Sequence, residues 1–157
     1  MQNFYKKGIT MIEMLMVVAI IGILVAVVLP QFSKMKENQI LKNTVGDITS
    51  VLHTAQAQSL ASVNSSEYGV HFQSDKMILF KGKVFSSNAV DNKTTNITSP
   101  AVISNVTING VSGTSGDIYF NRPSGTPSNS GVNTVTISTS SYSKIITISP
   151  TGTVSVN

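Results

Sequence analysis

Residues 6–13 read KKGITMIE, and residues 14–29 continue as MLMVVAIIGILVAVVL, an apolar run that ends at Pro30. The carboxylate of Glu13 stands at the head of a segment whose composition otherwise suits the interior of a lipid bilayer. An ionisable residue at the centre of a spanning helix costs about 2.5–3.5 kcal/mol on insertion scales, so it is rarely present without a function. We therefore expect Glu13 to have a partner, supplied by another chain of the same kind.

The segment 9–29 is long enough to cross a membrane as a helix. Its 21 residues, at about 1.5 Å each, span about 30 Å, which is the thickness of the hydrocarbon core of a bilayer. Lys6 and Lys7 flank it on the N-terminal side, and no acidic residue precedes Glu13. By the positive-inside rule, the N-terminus is predicted to stay in the cytoplasm while the chain after Pro30 crosses to the other side.

Simpler interpretations of this segment explain less of it. A secretory signal peptide has a shorter apolar region and ends in a small-residue cleavage site, whereas residues 27–32 read VVLPQF. A lipoprotein signal requires a cysteine, and the sequence contains none. A plain single-pass anchor explains the length of the segment but accounts for neither Glu13 nor the Gly8-Ile9 step.

The pattern basic–Gly–apolar–Thr–apolar–apolar–Glu at residues 7–13 resembles the class III signal of type IV prepilins and type II secretion pseudopilins. In that family a prepilin peptidase cuts after the glycine and methylates the new N-terminal amine. The resemblance places the cleavage between Gly8 and Ile9, makes Ile9 the methylated residue, and assigns subunit assembly to Glu13. Ile9 is a mild departure, because Phe or Met usually follows the glycine. Pro30 matches a proline at the end of the family's first apolar block, where we expect a helix break.

A physical argument supports the role of Glu13. Cleavage after Gly8 creates a cationic α-amino group four residues before the carboxylate, and both charges lie in an apolar bundle once subunits leave the membrane. Pairing offsets much of the desolvation cost, whereas either charge alone is expensive to bury. Pairing between neighbouring subunits would also fix the stagger of their helices, a role known for buried polar groups.

The composition favours an assembly or binding role over catalysis. Without cysteine there is no disulfide and no thiolate metal site, and the formal charge of +4 falls to +2 once Lys6 and Lys7 are removed. We predict structural roles for His53 and His71, since neither has metal-ligand spacing. Asp91-Asn92 offers one carboxylate, too few for a calcium cage. With no nucleophile motif or phosphate loop, we predict no catalytic residues, no metal, no cofactor and no enzyme activity.

The hydrophobic pattern predicts an α+β fold in which one long N-terminal helix packs on an antiparallel β-sheet domain. We divide the chain into a leader peptide at 1–8, a transmembrane and assembly helix at 9–30, an amphipathic helix continuing it at 31–63, and a sheet domain at 64–157. The second half of the helix, which should end near Ala61, has an apolar stripe at 4-3-4-3 spacing. The stripe consists of Leu41, Val45, Ile48, Leu52 and Ala55.

From Tyr68 the pattern changes to a period of two, which is typical of strands. A hairpin is predicted at 68–72 and 77–80, and further strands at 102–108, 118–121, 135–138, 145–149 and 154–156. Residues 88–99 are polar and turn-rich, so we predict a loop there, with a turn around 109–113 and a long Ser/Gly/Pro loop at 123–131. The β-branched, threonine-rich strands suit an antiparallel sheet with one face in water.

A second resemblance rests on YGVHF at 68–72, on IYF at 118–120 with Pro123 and Gly125, and on ITI at 146–148 with Gly152. These segments look like the GspH/FimT family of minor pseudopilins and minor pilins. The resemblance implies a single-pass inner-membrane protein with a periplasmic C-terminal domain, which later joins a periplasmic or extracellular filament. Its implied partners are the prepilin peptidase, other pilin or pseudopilin subunits, the inner-membrane assembly platform and membrane lipid.

Some FimT-like minor pilins bind DNA through basic residues near the C-terminus, and Thr153 stands where those members carry an arginine. Lys76, Lys81 and Lys83 form the best remaining basic group, but they also fit a charged sheet edge that discourages aggregation. DNA is therefore not the expected partner. A DNA-uptake or adhesion minor pilin and a monomeric membrane-anchored periplasmic domain remain the alternatives to a structural filament subunit.

Overall fold

The computed structural model describes residues 8–157, so only Gly8 of the predicted leader peptide lies within the described residues. Helix α1 covers Met11–Leu60 and is followed by a 3₁₀ turn at Val63–Ser65. The strands are β1 Tyr68–Phe72, β2 Lys76–Lys81, β3 Lys93–Asn96, β4 Val102–Ile108, β5 Val111–Gly113, β6 Gly116–Phe120, β7 Asn133–Ser138, β8 Ser143–Ile148 and β9 Val154–Val156. All strand pairs are antiparallel, which confirms the predicted α+β class.

The chain divides into two compact units at the step from Lys36 to Glu37. In the first unit, every described side chain from Gly8 to Lys36 is exposed. Because residues 14–29 are all apolar, the helix presents apolar groups on every side rather than along one stripe. A helix of this kind requires an apolar environment around it, such as lipid or other helices.

Pro30 lies inside α1, and the helix continues on both sides of it. The helix break predicted at this residue therefore does not end the helix. Proline has no N–H, so one backbone hydrogen bond is lost at this point, while the neighbouring turns keep theirs. A bend at Pro30 stays a prediction.

The second unit, from Glu37 onward, contains two antiparallel sheets, whereas the sequence pattern predicted one. The first sheet has the strand order β3-β2-β1-β6 and the second has the order β5-β4-β7-β8-β9. The predicted hairpin of β1 and β2 is confirmed, with Val70 opposite Leu79. Strand β6 joins the first sheet by pairing with β1, Val70 opposite Ile118, although 43 residues lie between the end of β1 and the start of β6.

The core of this unit forms where α1 meets the inner faces of the sheets. The predicted stripe is confirmed at Leu41, Ile48, Leu52 and Ala55, which are all buried. Val45 is only half-buried and packs at the margin of the core. Two polar residues of α1 that the apolar pattern did not include are also buried, Thr44 and Ser59.

Ser59 is buried because its hydroxyl forms a hydrogen bond that joins α1 to β1. The backbone N–H of Tyr68 donates to Ser59 Oγ at 2.9 Å. A buried backbone donor needs such a partner, and here the partner fixes the place where the chain enters β1. A pattern based on apolar residues alone does not detect a buried serine of this kind.

The loop predicted at residues 88–99 contains a strand. β3 pairs with β2 in register, with Leu79 opposite Lys93 and Ile78 opposite Thr94. Its sequence, KTTN, has no apolar residue, so alternation could not reveal it; its two threonines have the β-branched shape that strands favour. As a polar edge strand, β3 replaces β2 as the border of the first sheet.

Two loops that follow β6 and β8 dock against the last turns of α1. The side-chain amide of Gln56 donates to the carbonyl of Gly125 at 3.0 Å. A Cβ on Gly125 would lie 2.6 Å from Leu60 Cγ, and a Cβ on Gly152 would lie 2.3 Å from Gln56 Nε2. Both glycines also have positive φ, +67° and +89°. The two glycines of the second resemblance are thus the points where the loops touch the helix.

Candidate functional site

The predicted cleavage step lies just outside the helix. Gly8, Ile9 and Thr10 precede the first helical residue and have no regular secondary structure. The side chain of Ile9 is 75% exposed, and among the described residues no atom beyond the adjoining residues lies within 4 Å of the position that a Cβ on Gly8 would occupy. The peptide bond between Gly8 and Ile9 is therefore open on its C-terminal side, as a protease substrate must be.

Thr10 caps the N-terminus of α1. Its hydroxyl oxygen accepts a hydrogen bond from the backbone N–H of Glu13 at 3.3 Å, and its carbonyl accepts from Met14 N–H at 3.2 Å. Thr-x-x-Glu at 10–13 is the sequence signature of a capping box, which marks the helix start independently of the apolar pattern. The helix start is therefore set by the same residues that form the predicted processing motif.

Glu13 occupies the first turn of α1, where its negative charge interacts favourably with the positive end of the helix dipole. Its side chain is exposed, and no Lys, Arg or His among residues 8–157 lies within ion-pair distance of it. The position gives Glu13 a local role at the helix start. The predicted pairing with the amine of a processed Ile9 remains a prediction.

The helix surface that follows this site is apolar from Met14 to Leu29. One helix among the described residues is long and apolar enough to cross a membrane, with a mean hydropathy of 3.0 in its best window and none of that window buried. The exposed apolar side chains include Met11, Ile12, Leu15, Ile23 and Phe32. Such a surface can bind lipid tails or a second apolar helix.

A carboxylate also marks the start of the second unit. Glu37 is half-buried, and the Ser140 hydroxyl in the β7–β8 turn donates to its Oε1 at 2.8 Å. Hydrogen bonds from the Ser140 hydroxyl, and then from Ser141, hold the pKa of Glu37 below its ordinary value. The ionised carboxylate therefore fastens the turn between β7 and β8 to α1.

This contact predicts a pH dependence of stability. The folded-state pKa of Glu37 is lowered, so its contribution to the free energy of unfolding is complete above the unfolded-state pKa. This contribution is lost as the pH falls through the folded-state pKa. We expect Ser140→Ala to lower the thermal midpoint at pH 7 by more than it does at pH 3. Thermal unfolding of the full chain at both pH values measures the difference; an equal loss at both would contradict it. Ser143→Ala, in the exposed start of β8, serves as the matched control.

The two histidines occupy different environments. His53 is exposed on α1, whereas His71 pairs with Asp117 across β1 and β6 and stacks on Phe85 with ring centroids 3.9 Å apart. Phe85 in turn meets Phe80 edge to face at 5.7 Å. Among residues 8–157, no three metal-ligating side chains are grouped. His71 thus helps to hold the β2–β3 loop on the outer face of the first sheet.

The lysines of the predicted basic group border β2. Lys81 and Lys83 are exposed, Lys76 is half-buried, and Lys83 lies 3.8 Å from the Glu67 carboxylate. The prediction that these lysines lie on a sheet edge is wrong, because β2 is an inner strand. The edge strand is β3, which carries Lys93. Thr153, in the turn before β9, forms hydroxyl contacts with Thr151 at 3.1 Å.

Comparison with protein families identifies the N-terminal segment. Residues 3–29 match the prokaryotic N-terminal methylation motif. The match covers the Gly8-Ile9 step, the Thr10 cap, Glu13 and the apolar run up to Leu29. No curated protein matches the sequence.

Comparison with solved structures identifies the fold. The chain is similar to the crystal structure of the type IV minor pilin FimU of Pseudomonas aeruginosa strain PAO1, with a TM-score of 0.54 and 11% sequence identity. The similarity covers 78% of this chain and 92% of that chain. At this identity the likeness concerns the fold. The chain therefore has the two features of a type IV pilin-like protein, an N-terminal methylation motif and a pilin fold.

Proposed function

We propose that this chain is a minor pilin or minor pseudopilin, cut after Gly8 by a prepilin peptidase and methylated on Ile9, which assembles into a type IV pilus or a type II secretion pseudopilus. The observation that carries the proposal is the helix surface from Met11 to Lys36, which is exposed throughout and apolar on all sides up to Leu29. Before assembly, inner-membrane lipid covers this surface, with the N-terminus cytoplasmic and residues 37–157 periplasmic. After assembly, the helices of other subunits cover it.

The exposed area explains why assembly is favourable once the helix leaves lipid. Burying apolar surface contributes about 25 cal/mol per Å², and the side chains from Met11 to Phe32 keep half or more of their area exposed at most apolar positions. Extraction of the helix into water would therefore be prohibitive. Transfer from lipid into a bundle of like helices keeps that surface covered throughout.

The processing step has a direct test. We expect the chain produced in a host with a prepilin peptidase to lose residues 1–8 and to carry a methyl group on the amine of Ile9. Intact-mass and N-terminal peptide mass spectrometry of the purified membrane fraction measure both changes. Gly8→Val, which introduces a β-branched side chain at the cut, should leave the full-length chain unprocessed in the same host.

Two controls make this test decisive. Gly22→Val lies inside α1, well away from the Gly8-Ile9 bond, so its product should be processed like the parent chain. An intact N-terminus on the parent chain, in a host whose own prepilins are cut, would contradict the proposal. Cleavage at a site after Pro30 would instead assign the segment to a secretory signal peptide.

A further inference from the structure

Two lysines follow closely after the apolar part of α1. Residues 31–36 read QFSKMK and contain Lys34 and Lys36. Both side chains are exposed, and both residues belong to the helix, which continues on either side of Pro30. Helix geometry therefore fixes the distance of the two lysines from the apolar run.

That distance sets the depth of the lysines in a bilayer. If residues 9–29 fill the hydrocarbon core, as the proposed function requires, a rise of about 1.5 Å per residue places Lys34 about 7.5 Å and Lys36 about 10.5 Å beyond Leu29. The headgroup layer on each side of the core is about 5–8 Å thick. Because long side chains on a helix point back toward its N-terminus, both ammonium groups reach into this layer.

The charge at this depth is positive and has no counter-charge among the described residues. Residues 30–36 contain no acid, and no carboxylate of residues 8–157 lies within ion-pair distance of Lys34 or Lys36. Glu37, the next acid, is half-buried and accepts a hydrogen bond from the Ser140 hydroxyl at 2.8 Å. The two lysines can therefore attract an anion from outside the chain.

The position of these lysines also opposes the usual charge asymmetry of membrane proteins. Positive residues beside a span favour the cytoplasmic side, whereas Lys34 and Lys36 are periplasmic in the proposed orientation. The cytoplasmic pair, Lys6 and Lys7, is removed by cleavage after Gly8. In the processed chain, the lysines nearest to the span are thus the two on the periplasmic side.

Shallow apolar grooves lie on the helix surface just before the lysines. Phe32 is 65% exposed, and together with Val28 it lines two of these grooves. Met35 borders one groove and Leu29 borders the other. The grooves suit the part of an acyl chain that adjoins its headgroup. Apolar and cationic groups therefore follow each other along α1 in the order in which a phospholipid presents its chains and its phosphate.

We propose that the segment from Val28 to Lys36 binds an anionic phospholipid, phosphatidylglycerol, in the periplasmic leaflet. The ammonium groups of Lys34 and Lys36 donate to the phosphate oxygens, and the acyl chains lie in the grooves beside Phe32. The glycerol headgroup leaves the phosphate charge unopposed, whereas the choline of a zwitterionic lipid adds a cation that the lysines repel. The proposal rests on the membrane placement in the proposed function and adds the class of lipid that holds the processed subunit before extraction.

The test places a reporter at the site itself. The sequence has no tryptophan, so Phe32→Trp gives the full chain a single indole fluorophore beside the lysines. This variant is reconstituted in bilayers of dioleoylphosphatidylcholine. Phosphatidylglycerol or phosphatidylcholine, brominated on the acyl chains near the headgroup, is then titrated in as a quencher. The two quenching curves give the relative affinity of the two lipids at this position.

We expect phosphatidylglycerol to be favoured by about fivefold at low salt, since one cationic contact near a membrane surface corresponds to about this factor. The preference should fall at high salt, because exposed charges are screened. Combining Lys34→Gln with Lys36→Gln should bring the affinity ratio close to one. Lys42→Gln is the matched control: Lys42 is exposed on the same helix, but it lies about 20 Å beyond Leu29 and outside the headgroup layer.

A phosphatidylglycerol preference that is lost in the double variant and kept in Lys42→Gln would support the proposal. Equal quenching by the two lipids, or a preference that survives in the double variant, would overturn it and leave the membrane placement intact. Absence of quenching by either lipid would contradict the membrane placement itself, and the proposal with it. Quenching that falls for both lipids as the protein-to-lipid ratio rises would assign the grooves to a second copy of the chain and would also overturn the proposal.

Discussion

Replacing Glu13 by alanine is expected to abolish incorporation of the chain into filaments while leaving it in the membrane. In the proposed assembly, the amine of a processed Ile9 is buried among apolar helices, and Glu13 neutralises it. Removing one partner of a buried ion pair costs about 3–5 kcal/mol, which corresponds to a loss of more than about 100-fold in the assembly equilibrium. The measurement is the fraction of the chain in sheared filaments relative to the membrane fraction.

Two further variants distinguish ion pairing from helix capping, because Glu13 lies at the third position after the Thr10 cap. Thr10→Ala removes the cap, at about 0.5–2 kcal/mol, but keeps the carboxylate, so incorporation should fall only modestly. Glu13→Gln keeps the shape and hydrogen-bonding capacity of the side chain but not its charge, so it should behave like Glu13→Ala. Normal filaments with Glu13→Ala, or a Thr10→Ala defect as severe, would contradict the pairing mechanism.

The N-terminal half of the protein could be predicted from its sequence because its determinants are local. The apolar run and the Gly8-Ile9 step are continuous in the chain, and the stripe from Leu41 to Ala55 follows the period of one helix. The Thr10 cap was equally local and could have been found from the Thr-x-x-Glu spacing. These features need no knowledge of what packs against them.

The partition of the strands into two sheets could not be predicted in this way. The pairing of β1 with β6 joins segments that are distant in sequence, and nothing in the alternation of β6 indicates which neighbour it will choose. Strand β3 is polar, so only its partner β2 reveals it. Tertiary pairing, rather than local propensity, decides these elements.

The docking of the β8–β9 turn on α1 leads to the second large effect, on stability. Gly152→Ala is expected to lower the free energy of unfolding by about 2–6 kcal/mol, as the sum of about 1–3 kcal/mol for backbone strain at positive φ and about 1–3 kcal/mol for overpacking. The new Cβ would lie 2.3 Å from Gln56 Nε2 and 2.8 Å from the Gly125 carbonyl oxygen. Denaturant unfolding of the full chain in micelles measures the loss.

The two contributions can be separated, because the chain offers a glycine with the same strain and no close neighbour. Gly82 has a φ of +103°, and no atom of residues 8–157 other than its chain neighbours lies within 4 Å of its added Cβ, so Gly82→Ala should show the backbone strain alone. If Gly152→Ala costs no more than Gly82→Ala, the turn is not held tightly against the helix.

A second test removes the obstructing amide. Gln56→Ala should recover part of the Gly152→Ala loss, because the two side chains compete for one space. A double-mutant cycle gives this coupling directly, and a coupling near zero would mean that the turn moves away from α1 rather than clashing with Gln56.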